Sequence, residues 1–115
     1  MRLLRFLFGS SPPTPAPQPP AATPATFLGR PALAWRFGER RAVIGYLDVL
    51  GRPSTRAVTF DEVLDQNGHL YLSGYCHERF ERRHFRIDRI TAMRRFDTGE
   101  PVEAAREVTR WLAGA

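Results

Sequence analysis

Apolar and polar residues alternate along most of the chain between residues 40 and 95, and this period of two predicts a succession of short β-strands. The predicted strands cover residues 41–49, 54–60, 69–76, 82–87 and 90–95. Gly51 and Pro53 lie in the first connection, as a tight turn requires. Five short strands with tight connections fit a closed or nearly closed barrel, which leaves no free sheet edge.

A helix is predicted near the C-terminus, because Pro101 suits the first turn of a helix and Gly114 suits its end. The apolar residues at helical spacing between them are Val102, Ala105, Val108 and Leu112. We expect this helix to cap an open end of the barrel, with Trp111 contributing to the contact. A dimer contact is the alternative for its apolar face.

Residues 61–66 are predicted to form a single helical turn, since Asp61 is a suitable N-cap and Asn67-Gly68 a suitable stop. Residues 27–37 mix apolar residues with Pro31 and are expected to be an entry segment, with a short helix or strand around residues 32–37. The resulting fold class is all-β with a terminal helix.

The N-terminal part has a different composition, because residues 10–26 hold seven of the ten prolines. We expect an extended tether here that forms neither helix nor strand ladder, although Pro-x-Pro spacing could also serve as a ligand for a partner domain. Residues 1–9 are apolar and basic and are expected to be a loosely packed or disordered tail, with a membrane-surface helix or an export signal as alternatives. The folded domain is therefore expected at 29–115, after an N-terminal segment at 1–28.

Composition limits the chain to one domain of 115 residues with a net charge of +5, and all 17 basic residues are arginine. The single Cys76 rules out an intramolecular disulfide and fits a reducing cytoplasm. No apolar run is long enough for a transmembrane helix.

Arginine is concentrated near the fourth predicted strand. The seven arginines of this cluster are Arg79, Arg82, Arg83, Arg86, Arg89, Arg94 and Arg95. Tyr71, Tyr75 and Phe85 are interleaved with the cluster, and only Glu81 and Asp88 oppose it. Arginines that bind phosphates and aromatic rings that stack on bases predict an anionic ligand such as single-stranded nucleic acid or a nucleotide. The alternative is a solvated basic face with one arginine paired to Asp88.

The same stretch resembles the WYL domain family, which comprises small five-stranded SH3-like (Sm-like) barrels of bacterial regulators. The residues that carry the resemblance are Tyr71 and Leu72, then Cys76 and Arg79, then Arg83, Phe85, Arg86, Ile87, Asp88, Arg89 and Ile90. Upstream, residues 44–48, Gly51 and Thr55-Arg56 are similar to the first hairpin of the family. Leu70 stands where the family usually has its name-giving tryptophan.

The resemblance implies a ligand-sensing module in bacterial transcription regulation or in a DNA-damage or defence response, and some members bind single-stranded DNA. The contacts that it implies by position are Arg79, Arg83, Arg86, Arg89, Tyr71 and Tyr75, with Arg56 as a weaker candidate. Phe85 and Ile87 are expected in the core, and Asp88 is expected to orient Arg89. No recognition-helix pattern is visible, so we expect a stand-alone sensor, or an accessory subunit whose protein partner supplies DNA binding; a homodimer is a further option.

Other chemistries find little support in the sequence. No Ser-His-Asp, Cys-His or paired-carboxylate arrangement is readable, so we do not expect an enzyme. The residues that invite a metal site are His69, Cys76, His77 and His84, but they lack the close ligand pairs of common zinc sites, and no metal or cofactor is expected. The competing function is a protein–protein adaptor that uses the barrel and the Pro-rich tail.

Overall fold

The computed structural model describes residues 21–114. Alternating side chains build seven antiparallel strands and one C-terminal helix in this part of the chain. The strands are β1 (Thr23–Phe27), β2 (Arg30–Leu47), β3 (Pro53–Gln66), β4 (His69–Cys76), β5 (Glu81–Arg86), β6 (Ile90–Arg95) and β7 (Pro101–Val102). A 3₁₀ turn (Ile87–Arg89) joins β5 to β6, and the helix is α1 (Ala104–Ala113). The predicted class, all-β with a terminal helix, is confirmed. No helix among residues 21–114 is long and apolar enough to cross a membrane.

The strands form one sheet in the order β5-β4-β3-β2-β6-β7, and β1 pairs with β2 beside this path. The long strand β2 is shared: its first half pairs with β1 and its second half with β6, while β3 follows both. Within the described residues, no ladder joins β5 to β6 or β7, so of the two expected forms, closed and nearly closed, the closed barrel is wrong, and the sheet has seven strands instead of five. The sheet is also larger than expected, because β2 and β3 extend beyond their predicted bounds.

The main core lies on the concave side of the sheet and is covered by α1. Its fully buried residues include Ile44, Val58, Phe60, Leu72, Phe85 and Met93. Trp111 of α1 places its ring 5.4 Å from that of Phe37 and 6.0 Å from that of Phe60. The helix covers the core with Trp111 in the contact, as expected, but it begins at Ala104. Pro101 and Val102, which were expected in the helix, form strand β7 instead.

A second, smaller cluster lies on the other face of the sheet, where the β1–β2 hairpin meets β3. Its buried residues are Phe27, Ala32, Ala34 and Leu64. The side-chain amide of Gln66 donates to the carbonyl oxygens of Phe27 at 2.7 Å and Arg30 at 3.4 Å, which fixes the hairpin turn to the end of β3. This hairpin therefore lies over the outer face of the sheet.

The predicted helical turn at residues 61–66 is wrong, since these residues complete strand β3. Asn67 and Gly68 both have positive φ, 53° and 84°, and form the two-residue turn of the β3–β4 hairpin. Asn-Gly is the preferred sequence for such a turn, so the strand continues directly into its antiparallel neighbour.

The prediction that residues 10–26 form no strand ladder is wrong at its C-terminal end, where Thr23–Phe27 pairs with β2. Pro24 is tolerated because β1 pairs on one side only within the described residues, so its missing N–H interrupts few ladder bonds. The predictions for residues 1–20 fall outside the described residues.

Candidate functional site

Strands β4 and β5 place aromatic and cationic side chains opposite each other on the outer face of the sheet. The antiparallel register pairs Tyr71 with Arg86 and Tyr75 with Arg82. Directly paired residues project to the same side, so the two tyrosines and two arginines share one surface. Alternation along residues 82–87 predicts Arg82 and Arg86 on the face opposite Phe85, and the burial of Phe85 in the main core agrees with this assignment.

The expected contact residues do not all lie on this surface. Arg83 pairs with Gly74 on the core-facing side of β5, at the rim of the main core. Arg56 lies two residues before the buried Val58 and directs Nη1 to within 3.8 Å of the Cys76 Sγ on the same side. Arg79 is exposed in the β4–β5 turn, and Arg89 belongs to the 3₁₀ turn. The strand register thus places Tyr71, Tyr75 and Arg86 on one face, whereas the other four lie on the core-facing side or in turns.

Two of the expected arginines already have carboxylate partners. Arg83 contacts Glu81 at 3.2 Å, and Arg86 contacts Asp88 at 2.8 Å, where the carboxylate side chains are 58% and 60% exposed. Arg86 also donates to the Nδ1 atom of His69 at 3.0 Å. The expectation that Asp88 orients Arg89 is wrong, because the carboxylate of Asp88 points to Arg86.

The other three arginines of the expected set form no ion pair with the described residues. Within residues 21–114, Arg56, Arg79 and Arg89 have no carboxylate oxygen within 4.0 Å. Their positive charge is therefore not compensated locally. Arg56, beside Cys76, and Arg79 lie toward the β4–β5 turn, whereas Arg89 lies at the other end of β5. An anion at either end of β5 therefore meets an arginine with no carboxylate in contact with it.

Sequence reasoning missed Arg82 as part of the site, although the alternation placed it beside Arg86. Its guanidinium forms a two-point contact with Asp61, at 2.8 and 3.0 Å, and also donates to Ser73 at 3.2 Å. The hydrogen bonds to Asp61 raise the pKa of Arg82 above its usual value. This arginine is consequently held in one orientation on the outer face of the edge strand β5.

Phe27 and His84 were also missed. The ring of Phe27 lies 4.7 Å from the ring of Tyr71 and 4.7 Å from that of His84, so the hairpin turn covers part of the outer face. Burial and the charge of Arg82 lower the pKa of His84, while Glu62 acts weakly in the opposite direction. Local pattern could not reveal Phe27, since its contacts depend on how the hairpin folds over β4 and β5.

A cavity of about 360 Å³ lies between the β1–β2 turn and strand β5. Its walls are Phe27, Leu28, Tyr71 and residues 81–84. The lining thus combines the apolar Phe27 and Leu28 with the acidic Glu81 and the basic Arg82 and Arg83.

The described residues offer no metal site, since no three His, Cys, Asp or Glu side chains among residues 21–114 are grouped to hold an ion. Cys76 is fully buried in the main core. Neither feature adds a candidate for catalysis.

Comparison with known proteins identifies the family of the chain. The WYL domain family model matches residues 36–95. Among solved structures, proteasome accessory factor B/C (PafBC) of Arthrobacter aurescens is similar, with 21% sequence identity and a TM-score of 0.48 over 53% of this chain. The similarity spans 10% of that chain, and a search of curated proteins gave no match. Because the family model covers more than half of the 115 residues, the chain belongs to the WYL domain family.

Proposed function

We propose that this protein is a regulatory module that binds single-stranded nucleic acid or a nucleotide through the arginine-rich surface of β4 and β5. Membership of the WYL family supports a regulatory, ligand-sensing role in general. The nature of the ligand is our inference from the geometry of that surface. The role is non-enzymatic and belongs to bacterial transcription regulation or a DNA-damage or defence response in the cytoplasm.

The observation that carries this proposal is the cross-strand pairing of tyrosines with arginines. Tyr71 faces Arg86 and Tyr75 faces Arg82 across the same two strands. A planar ring beside a guanidinium offers a stacking surface for a base and a donor for the adjoining phosphate. Tyr75 is 37% exposed, so part of its ring is open to a ligand.

The charge distribution supports an anionic ligand. The ion pairs of Arg83 and Arg86 are exposed and therefore contribute little to stability, so a phosphate can replace the carboxylate at small cost. Arg79 and Arg89 flank these residues in the two turns that adjoin β5. A phosphate near β5 would thus be attracted by paired and unpaired arginines together.

The proposed module lacks a DNA-reading helix among its described residues, whose single α-helix caps the core. Sequence-specific regulation would then require a protein partner that supplies DNA binding, or a homodimer. The sensing of the ligand would be transmitted through that partner.

Fluorescence anisotropy with labelled single-stranded DNA, duplex DNA and RNA tests the proposal. We expect single strands to bind, with log affinity falling by about 0.7 per log salt for each phosphate neutralised. The double variant Arg83→Ala/Arg86→Ala should lose most of the affinity. The matched control is Arg52→Ala/Arg106→Ala, which removes two arginines from exposed ion pairs elsewhere.

Absence of binding at low salt to all three nucleic acids and to nucleotides would refute the proposed ligand class. Equal losses in the double variant and its control would show that only net charge matters and that β5 holds no site.

A protein-interaction adaptor is the second candidate, and one observation favours it. An apolar groove of about 280 Å³ runs between α1 and the sheet, with walls that include Trp35, Leu70 and Leu112. Leu70 is 41% exposed at this groove. An apolar interface depends weakly on salt, so partner binding that survives high salt and is lost in Leu70→Glu would favour the adaptor.

A further inference from the structure

The chain contains two hairpin turns of the same backbone geometry with different residues at the first central position. Asn67-Gly68 has φ values of 53° and 84°, and Leu28-Gly29 has 53° and 76°. Positive φ at both central residues favours Asn-Gly, and a leucine in the left-handed region is sterically disfavoured. The β1–β2 turn therefore carries a residue that its backbone conformation does not prefer.

Packing within the described residues does not explain this leucine. The side chain of Leu28 is 77% exposed, so little apolar area is buried in return for the strained conformation. Strain that persists at an exposed position without a packing gain is an indication of function.

The surroundings of Leu28 indicate what that function is. Leu28 lines the cavity of about 360 Å³ together with Tyr71, Arg82 and Arg83. Gln66 fixes the turn through its hydrogen bond to the carbonyl oxygen of Phe27, and the Phe27 ring packs on Tyr71. The turn that carries the leucine is thus attached to the sheet beside these arginines.

We propose that Leu28 is a specificity-determining residue of a pocket for one nucleotide unit. Its side chain contacts the base, and Arg83 binds the phosphate after exchanging its exposed partner Glu81. Arg82, held by Asp61, supplies a second fixed positive charge. This inference rests on the proposed function. It adds the size of the bound ligand and names the residue that contacts its base.

The size of the cavity is compatible with a small ligand. A volume of about 360 Å³ lies at the small end of the range of ligand sites, which is roughly 300–1,000 Å³. A ligand the size of one nucleotide is compatible with such a volume. A free nucleoside monophosphate and the terminal nucleotide of a strand present the same chemistry to this pocket.

The turn lies outside the part of the chain that the family model matches, which begins at residue 36. Leu28 thus reaches the family's β4–β5 surface from a hairpin that precedes the matched region. Ligand recognition by Leu28 would therefore be a property of this chain that the matched family domain alone does not provide.

The test is the variant Leu28→Asn, assayed in the full-length chain for stability and for binding. Because Asn-Gly is the preferred turn, we expect the melting temperature to rise by roughly 4 °C or more. We expect the affinity for a 5′-labelled ten-residue oligothymidine to fall by about tenfold, since an apolar contact of leucine size is lost. Leu28→Met, which keeps an apolar side chain, should retain most of the affinity.

Leu50→Asn is the matched control, because Leu50 is 71% exposed in another hairpin turn and does not line the cavity. Competition by thymidine monophosphate separates the two sources of the ligand: full competition assigns a free nucleotide, and weak competition assigns a strand end. Unchanged affinity in Leu28→Asn, with the wild type binding normally, would overturn this inference alone. Failure of the wild type to bind any probe would overturn the proposed function and this inference with it.

Discussion

The hydroxyl oxygen of Tyr46 accepts a hydrogen bond of 3.1 Å from the backbone N–H of Arg86. Tyr46 lies near the end of β2 and Arg86 at the end of β5, two strands that share no ladder. The Tyr46 ring also meets the Phe85 ring edge-on, with centroids 5.1 Å apart. A side-chain hydrogen bond therefore links β2 to β5, although no backbone ladder joins the two strands.

We expect Tyr46→Phe to lower the free energy of unfolding by about 1–2 kcal/mol, because the backbone N–H of Arg86 loses its acceptor while the aromatic packing is kept. Urea unfolding measures the change. Tyr75→Phe is the control, since the Tyr75 hydroxyl makes no hydrogen bond to the described residues, and it should stay within about 0.5 kcal/mol of the wild type. Equal stability of the two variants would mean that this hydrogen bond does not stabilise the fold.

Gly74 is expected to tolerate no side chain. A Cβ atom at this position would collide with the carbonyl oxygen of Thr59 and lie 2.7 Å from the Cα of Phe60, both of them backbone atoms of β3. Gly74→Ala should therefore destabilise the fold by about 3 kcal/mol or more. Thermal unfolding is the measurement.

Gly45→Ala serves as the comparison for this clash. Its new Cβ would meet the Thr91 hydroxyl at 2.9 Å, but that side chain is exposed and can rotate away. A loss in Gly74→Ala no greater than in Gly45→Ala would contradict the close approach of β3 and β4.

Glu107 is a buried carboxylate that ties α1 to the sheet. It accepts hydrogen bonds from Arg95 at 2.8 Å and from Arg110 at 3.0 Å, and the bond to Glu107 raises the pKa of Arg95. Glu107→Ala should cost about 2 kcal/mol in chemical denaturation, because two guanidinium groups lose a shared partner. Glu103→Ala removes only an exposed pair with Arg106 and should cost about 0.5 kcal/mol or less.

The stability of the fold should decrease in mild acid because of His84. Its pKa in the folded protein is below the ordinary value of 6.5, so the unfolded chain binds a proton more readily than the folded chain. The contribution of neutral His84 to the free energy of unfolding is therefore fully present above pH 6.5. It is lost as the pH falls toward the lowered pKa. Melting curves at pH 5 and pH 7.5 should show a smaller difference in His84→Gln than in the wild type; an unchanged difference would exclude His84 as the cause.

The alternation of apolar and polar residues was sufficient to predict the strands whose ends are marked by turn residues. The bounds of β4 and β6 were predicted from the sequence without error, and β5 was displaced by one residue. Asn67-Gly68 was misinterpreted because these two residues can end a helix or make a hairpin turn, and only the pairing of β3 with β4 distinguishes the two. The pairing of β1 was missed because prolines conceal the strand pattern.

The candidate site could likewise be predicted only where it depends on alternation within one strand. Period-two alternation assigned Arg82 and Arg86 to one face and Phe85 to the other, as the structure shows. The ion pair of Arg82 with Asp61 depends on the registers of two hairpins, so no local pattern contains it. The position of Phe27 over Tyr71 likewise depends on long-range folding, and it changes which part of the outer face a ligand can reach.

The open side of β5 has a further consequence, for solubility. Among the described strands β5 pairs with β4 alone, so the outward backbone groups of its other edge could accept a strand from another molecule. Arg82, Arg83 and Arg86 line that edge, and two such edges brought together would place like charges in contact. The same arginines that attract an anion therefore keep copies of the protein from adding to one another edge to edge.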